Sequence, residues 1–315
     1  MAHPRRFRFA AQLGRSPEGT GPSWAAQARR AEDLGYSTLL MPDHFGDQLA
    51  PVPAITAAAA ATTSLRVGAL VFDNDYRHPL ILAKEMATVD VLSEGRLELS
   101  LGAGWMRTDY EQSGITYDPP AVRVDRFEEG VQVLKGLLAA EGPYSFSGRH
   151  YTITDHTPTP RPVQRPHPPL ILGGGGARVL SIAGRQADIV GINVNLRQGT
   201  GGPETAPNAS PASTRQKVAW VKEAAGPRYG DLELNTLIGF AMITDDRRAM
   251  ADAMAPHFGI GPEEVLHVPL ALVGSVEEMV EELEWRRAEY DISYYSVESD
   301  CWEQLGPVVS HLAGT

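Results

Sequence analysis

The sequence is short of several things at once. It has one cysteine, Cys301, in 315 residues, so no disulfide closes within the chain, and no Cys/His cluster has metal-ligand spacing. A disulfide scaffold and zinc catalysis are both argued against, and no metal is expected. No stretch approaches the roughly 20 apolar residues that a spanning helix needs. Arg5, Arg6 and Arg8 stand near the start, but no apolar segment follows them as it would in a secretory leader. A soluble, cytoplasmic protein is expected, with no membrane as partner. Lysine is scarce too. Of 28 basic residues four are lysine, all 28 are scattered, and 39 acidic residues leave a net charge of −11. Nucleic acid is therefore a poor partner, whereas a small anion held by a few local donors is still allowed.

What is present is a hydrophobic content of 43%, enough for a full core, laid out as an alternation of two periods. Phe7, Phe9 and Ala11 alternate with Arg6, Arg8 and Ala10 in a first strand over 6–13. A helix follows with Trp24, Ala28, Ala31 and Leu34 at helical spacing, capped by Ser23 and stopped by Gly35. The run through Leu39, Leu40 and Met41 is apolar at successive positions, as in strands buried on both faces of a parallel sheet. A loop with Pro51 and Pro53 leads to a helix over 54–63. Next come a strand over 65–72, a helix over 79–92 with Pro79 at its first position, and a strand over 96–101. A helix over 122–140, a small hairpin about Ser147-Gly148-Arg149 and a proline-rich connector over 158–169 separate this half from the next. Strands then recur at 170–172, 187–194, 232–242 and 292–297. Helices fall between them, one over 275–290 opened by a Ser275/Glu278 capping box, and a helix over 301–312 closes the chain. Eight strands, each followed by a helix, imply parallel pairing through right-handed crossovers. The expected fold is α/β: a single (β/α)8 TIM barrel spanning 1–315. Its insertions are expected at about 143–169, a small hairpin, and about 195–211, a flexible loop rich in Gly, Pro, Thr, Asn and Ser.

In such a barrel the polar groups at the carboxyl ends of the strands converge on one face. Gln12, Asp43 and His44, Asp73 to Asp75, Trp105 and Asn193 all stand there. Histidine changes charge near neutrality, so His44 is the candidate acid–base group; Gln12, Trp105 and Asn193 are candidates for a substrate pocket. Gly173-Gly174-Gly175-Gly176 lies between a strand and a helix, where bare amides and the helix N-terminus suit a phosphate and Arg178 adds a charge. No Lys-Ser/Thr follows, as in a Walker loop, and the dinucleotide spacing is absent. A tight turn needing positive φ is the structural alternative for the run.

Further stretches carry a resemblance. Pro42-Asp43-His44-Phe45, Gly68-Ala69-Leu70-Val71 with Arg77-His78-Pro79, Ser93-Glu94-Gly95-Arg96 leading to Leu101-Gly102-Ala103-Gly104-Trp105, and the glycine run with Ala187-Asp188 beyond it resemble the luciferase-like flavin and deazaflavin oxidoreductases. The branch most resembled is that of the coenzyme F420-dependent enzymes of actinobacteria. The resemblance implies a barrel that binds F420, or alternatively FMN, at its mouth. The cofactor phosphate would lie at Gly174, Gly175 and Gly176. A cis peptide at Leu70-Val71 would back the ring, Asp43 would contact the cofactor, Gly102 and Gly104 would leave room beside it, and His44 would give or take a proton. It also implies a homodimer acting on a small-molecule substrate. Hydride transfer at the deazaflavin C5 is the expected reaction, with FMNH2- and O2-dependent monooxygenation as the alternative. One departure is plain: where F420-dependent glucose-6-phosphate dehydrogenases carry a catalytic glutamate after the Gly-x-Gly, this chain has Trp105. Its 195–210 loop also holds no lysine to clamp a sugar phosphate.

Overall fold

The alternation read in the sequence closes into a ring. The computed structural model describes residues 5–315, and its core is a closed barrel of eight parallel strands. Strand β1 (Arg8–Gln12) is flanked by β2 (Thr38–Met41), which is followed by β3 (Arg66–Ala69) and β4 (Leu97–Leu101). A separate antiparallel hairpin of β5 (Tyr144–Ser147) and β6 (Thr152–His156) fills the first insertion, as expected. The ring resumes with β7 (Leu170–Gly174), β8 (Ile189–Ile192) and β9 (Glu233–Ile238). It closes where β12 (Ile292–Glu298) pairs with β1, in the register Arg8 with Tyr294 through Gln12 with Glu298.

The amino end of the barrel is plugged by ions rather than oil. The Glu98 carboxylate, fully buried, accepts from Arg8 at 2.5 Å, Arg66 at 2.8 Å and the Tyr294 hydroxyl at 2.9 Å. Every charge there has a partner, which a buried charge requires. Gly68 in β3 passes so close that a Cβ there would stand 2.2 Å from the Glu98 carbonyl oxygen, so the ring closes only around a residue without a side chain.

Helices cover the outside and start where local chemistry dictates. In α1 (Gly21–Asp33) the cap is Thr20, not Ser23: the Thr20 side chain accepts from the Ser23 amide, and Pro22 sits in the first turn. In α2 (Pro51–Ala61) both prolines lie inside the helix start rather than in a loop, since the first-turn N–H groups they lack have no helical partner anyway. Helix α3 (Pro79–Leu92) matches expectation. A short helix that the periodicity did not suggest, α4 (Arg107–Ser113), follows β4 and precedes α5 (Pro120–Ala139).

The second half shows the larger departures. After α6 (Ala177–Gln186), the second insertion is not irregular throughout. Residues Pro203–Ala209 form a 3₁₀ helix, tied down by Asn195 N to Asn208 Oδ1 at 2.7 Å and Lys217 Nζ to the Asn208 carbonyl at 2.6 Å. Helix α7 (Pro211–Ala225) follows. The strand expected over 232–242 is two strands, because Gly239 and Phe240 both donate to the Leu270 carbonyl and turn the chain out of the barrel. There β10 (Phe240–Ile243) pairs with β11 (Ala271–Gly274), across α8 (Arg247–Phe258) and α9 (Pro262–Val265). Helix α10 (Val276–Tyr290) has the capping box foreseen at Ser275 and Glu278, and α11 (Gly306–Leu312) is shorter than the 301–312 expected.

Candidate active site

One cavity of about 400 Å³ opens at the carboxyl ends of the strands, within the range of small-molecule sites. Its wall is an arc, drawn from the segments after β2, β3, β4, β7 and β8, from β9, and from one face of α5. Of the residues singled out in the sequence, Asp43, His44, Leu70, Val71, Gly102, Gly104, Trp105, Gly174, Gly175, Gly176, Arg178 and Asn193 all line it. Gln12 does not: it ends β1, and no described residue of β1 or β12 lies on the arc. Its Oε1 is buried without a hydrogen-bond partner, outside the cavity that it was expected to line.

Asp43 and His44 leave β2 side by side and meet different partners. The Asp43 carboxylate is gripped by both terminal nitrogens of Arg77, at 2.6 and 3.2 Å, and accepts the Asp73 amide at 3.1 Å. It therefore pins the ends of β2 and β3 together. His44 Nδ1 lies 2.7 Å from Asp109 Oδ2. Asp109 is buried on α4 and also accepts the Tyr76 hydroxyl at 3.1 Å. An ionised carboxylate only accepts, so the neutral imidazole carries its proton on Nδ1 and leaves Nε2 as an acceptor. The edge of the His44 ring meets Trp105, with centroids 5.5 Å apart at 87°, which fixes its plane. Asp109 is a residue of the site that the sequence did not offer; its only local signal is a polar helix directly after Gly-x-Gly.

Three of the four glycines in the run are required by close packing rather than by turn geometry. None of Gly173 to Gly176 has positive φ. A Cβ on Gly175 would lie 2.2 to 2.4 Å from the backbone of Val194 and Asn195, and one on Gly173 would meet the Gly191 carbonyl at 3.1 Å. Gly176 is open, with the Asn195 side-chain amide nearest at 3.7 Å, and it forms the N-cap of α6 without any side-chain cap. The free amides of that first turn are thus left for an anion. Asn193 braces the turn: its amide donates to the Gly174 carbonyl at 3.1 Å, and its Oδ1 accepts Val194 N at 2.7 Å. Arg178 is on the wall, but its guanidinium is already paired with Asp125 and Glu128 of α5, so its charge is largely spoken for. Across the site the Leu70-Val71 peptide is cis, as the resemblance implies. The Val71 side chain fills the space that a Cβ on Gly102 would need, its Cγ2 lying 2.5 Å from that position.

An oriented histidine and an anion-ready helix start share one cavity at the carboxyl face, where (β/α)8 barrels carry their active sites. The model of the luciferase-like monooxygenase family matches residues 7–291, and the chain belongs to that family. It is 32% identical over 143 residues to an FMNH2-dependent dimethylsulfone monooxygenase of Pseudomonas putida, covering 45% of this chain and 39% of the relative. It is 27% identical over 197 residues to an F420-dependent glucose-6-phosphate dehydrogenase of Microbacterium testaceum (strain StLB037), covering 60% and 56%. The chain thus spans between about two fifths and somewhat over half of these relatives. The solved structure of a coenzyme F420-dependent tetrahydromethanopterin reductase from Methanopyrus kandleri superposes with a TM-score of 0.77, covering 98% of this chain and 100% of that one at 19% identity. The relatives thus include an F420-dependent enzyme and an FMNH2-dependent monooxygenase on one family fold.

Proposed function

We propose that the chain is an F420-dependent oxidoreductase acting on a small organic substrate, with His44 as the group that gives or takes the proton. The observation carrying this reading is the His44–Asp109 pair in the same cavity as the open amides at Gly176. One part suits acid–base work and the other a phosphate-bearing cofactor. Gly174 to Gly176 and the start of α6 would hold the phosphate and Leu70 and Val71 would back the ring; the space expected beside it at Gly102 and Gly104 is instead taken up by Val71 and by Tyr110 and Asp73. When bound, F420 supplies hydride exchange at its C5. His44 Nε2, left as an acceptor by Asp109, takes a proton from a substrate hydroxyl in the oxidising direction and returns it in the reducing one. Trp105 offers an apolar wall against which a substrate packs. The 195–202 segment lies over it, Arg107 N donating to the Gly199 carbonyl at 3.1 Å, and so keeps water from the reacting centre. With Trp105 after the Gly-x-Gly, glucose 6-phosphate is set aside as substrate despite the likeness to a dehydrogenase of that sugar.

The relative that uses FMNH2 favours a second reading, monooxygenation with FMNH2 and O2, which would employ the same phosphate and ring contacts. Titrating the protein with F420 and with FMN, and then testing whether turnover needs oxygen, separates the two. Under the first reading F420 binds, turnover is indifferent to oxygen, and His44→Ala lowers turnover at least about tenfold while cofactor affinity holds. Equal turnover in that variant removes His44 from the chemistry. A homodimer in the cytoplasm belongs to the same proposal and is checked by light scattering.

A further inference from the structure

Four aspartates crowd the β2, β3 and β4 ends of the cavity, and three of them are matched. Asp43 has Arg77. Asp75 has Arg126, whose Nε and Nη2 lie 2.7 and 2.9 Å from its oxygens. Asp109 has His44 and the Tyr76 hydroxyl. The fourth, Asp73, lines the cavity, is 6% exposed and has no cation within ion-pair distance among the described residues. Its Oδ1 accepts the Asp75 amide at 2.8 Å. Its remaining neighbour is Tyr110, whose single hydroxyl proton is contested: Asp75 Oδ2 is at 3.0 Å, Asp73 Oδ2 at 3.2 Å and Asp73 Oδ1 at 3.4 Å. The nearer acceptor is Asp75, so among the described residues Asp73 Oδ2 has at most a share of that one donor. That oxygen lies beneath Gly104, where a Cβ would stand 2.7 Å from it.

We propose that Asp73 is a second ligand-facing group: a carboxylic acid kept neutral on the cavity wall, which gives a hydrogen bond to a ring oxygen or nitrogen of the bound cofactor. The identity of that ligand rests on the reading above; the state of Asp73 does not. A buried carboxylate with no cation is costly, and taking up a proton removes the cost while turning an acceptor-only group into a donor. Burial, joined by the charges of Asp75 and Asp43, pushes the acid up to about 7 against the pull of the Asp75 amide and the Tyr110 hydroxyl. The other charged and titratable groups around it are Arg77 across Asp43, Arg126 across Asp75, and Tyr76. Arg123 stands beyond Tyr110, donating to the Gly104 carbonyl. The position is adjacent to Leu70 and Val71, so a ring resting on that wall brings its polar edge within reach of the acid.

Two measurements decide it, each comparing the wild type with Asp73→Asn, which keeps the shape and a donor but cannot ionise. In the ligand-free protein, infrared difference spectra should contain a protonated-carboxyl band that disappears as pH rises through about 7 and is missing from the variant. FMN and F420 are then titrated by fluorescence at pH 6 and pH 8.5. Wild-type affinity for the ring that binds should fall at least about fivefold more than that of Asp73→Asn over this interval. Ionisation of the ligand acts on both proteins alike and cancels in the ratio. Asp73→Ala, lacking any donor, should bind weakly at both values. Parallel losses in wild type and Asp73→Asn, or no band titrating near neutrality, overturn the proposal. Failure of the wild type to bind either ring overturns the cofactor reading instead, and with it the hydrogen bond to the ring.

Discussion

Replacing Asp109 with asparagine tests the central pair most directly. The hydrogen bond to His44 Nδ1 is 2.7 Å long and its carboxylate is almost wholly buried, with 4% side-chain exposure. A charged, desolvated bond of this kind contributes roughly 1.5 to 3 kcal/mol, which on its own is about 10- to 150-fold in rate. The asparagine does more than weaken it. Its amide can offer an N–H to Nδ1, which moves the ring proton to Nε2 and leaves nothing to accept a proton from substrate. The expected loss of kcat is therefore on the order of 10²–10⁴, as for removal of a general base. The fold should hold, since the Tyr76 hydroxyl, which reaches the same Oδ2 as His44, can accept the second N–H of that amide. Cofactor affinity should stay within about twofold, because no cofactor contact is proposed for Asp109. The imidazole can also be read without any substrate: ¹⁵N spectra of labelled histidine should place the proton on Nδ1 in the wild type and on Nε2 in the variant. Should the proton stay on Nδ1 in Asp109→Asn, or turnover remain within about threefold, Asp109 does not orient His44 and the reasoning fails.

Other expectations follow from contacts of the same kind. Gly175→Ala puts a Cβ 2.2 Å from the Val194 carbonyl carbon, which forces the 193–195 backbone away and should weaken cofactor binding at least about tenfold; Gly176→Ala, with nothing nearer than 3.7 Å, should change it little, and equal effects in a fluorescence titration would contradict the packing account. Gly68→Ala sets a methyl 2.2 Å from the Glu98 carbonyl oxygen, and overpacking of that kind costs roughly 1–3 kcal/mol, to be read as a lowered melting temperature. Asp73 is raised from 3.8 to about 7 in the folded protein, so between those values the native state holds a proton that the unfolded chain has released. Wild-type stability should then fall as pH rises across that window and level off above it. Asp73→Asn lacks this slope, so its advantage in urea unfolding should open from pH 4 to pH 7 to at most on the order of 4 kcal/mol; an advantage that does not change with pH refutes the assignment.

The barrel was legible because strands buried on both faces and helices covering them leave different periods in the chain, and eight such pairs have few ways to close. Where that reading slipped, a contact from a distant segment decided the matter. Gly239 and Phe240 leave the barrel because the Leu270 carbonyl, thirty residues on, accepts both of their amides. Pro51 and Pro53 look like loop residues by composition, yet the first turn of a helix accommodates them. Gln12 was placed correctly at the end of its strand, but strand ends define a circle and the cavity occupies only an arc of it. Which arc depends on the bulk that α5 and the 193–197 segment bring to one side.

The site divides along the same line. His44, the glycine run and Trp105 announce themselves because each follows directly from a strand, and a side chain there has one place to point. Asp109 sits 65 residues from His44, on a helix inside a βα connection, and nothing local distinguishes it from a solvated acid. Asp73 is subtler still. Asp43, Asp73 and Asp75 look alike in the sequence, and Arg77 and Arg126 supply two cations for three carboxylates. Only the folded chain settles that Arg77 reaches Asp43 and Arg126 reaches Asp75, which leaves the middle acid to neutralise itself by keeping a proton. The chemistry of that residue is thus fixed by an allocation of arginines from β3's own loop and from α5. A change at Arg126, which does not line the cavity, should alter the titration of Asp73 by freeing Asp75 to compete for the Tyr110 hydroxyl. Arg126→Met should therefore move the midpoint of the Asp73 carboxyl band upward, since a second unpaired carboxylate beside it favours the protonated form. A midpoint unchanged in that variant would mean that the two acids do not sense each other, and that the protonation of Asp73 has another origin.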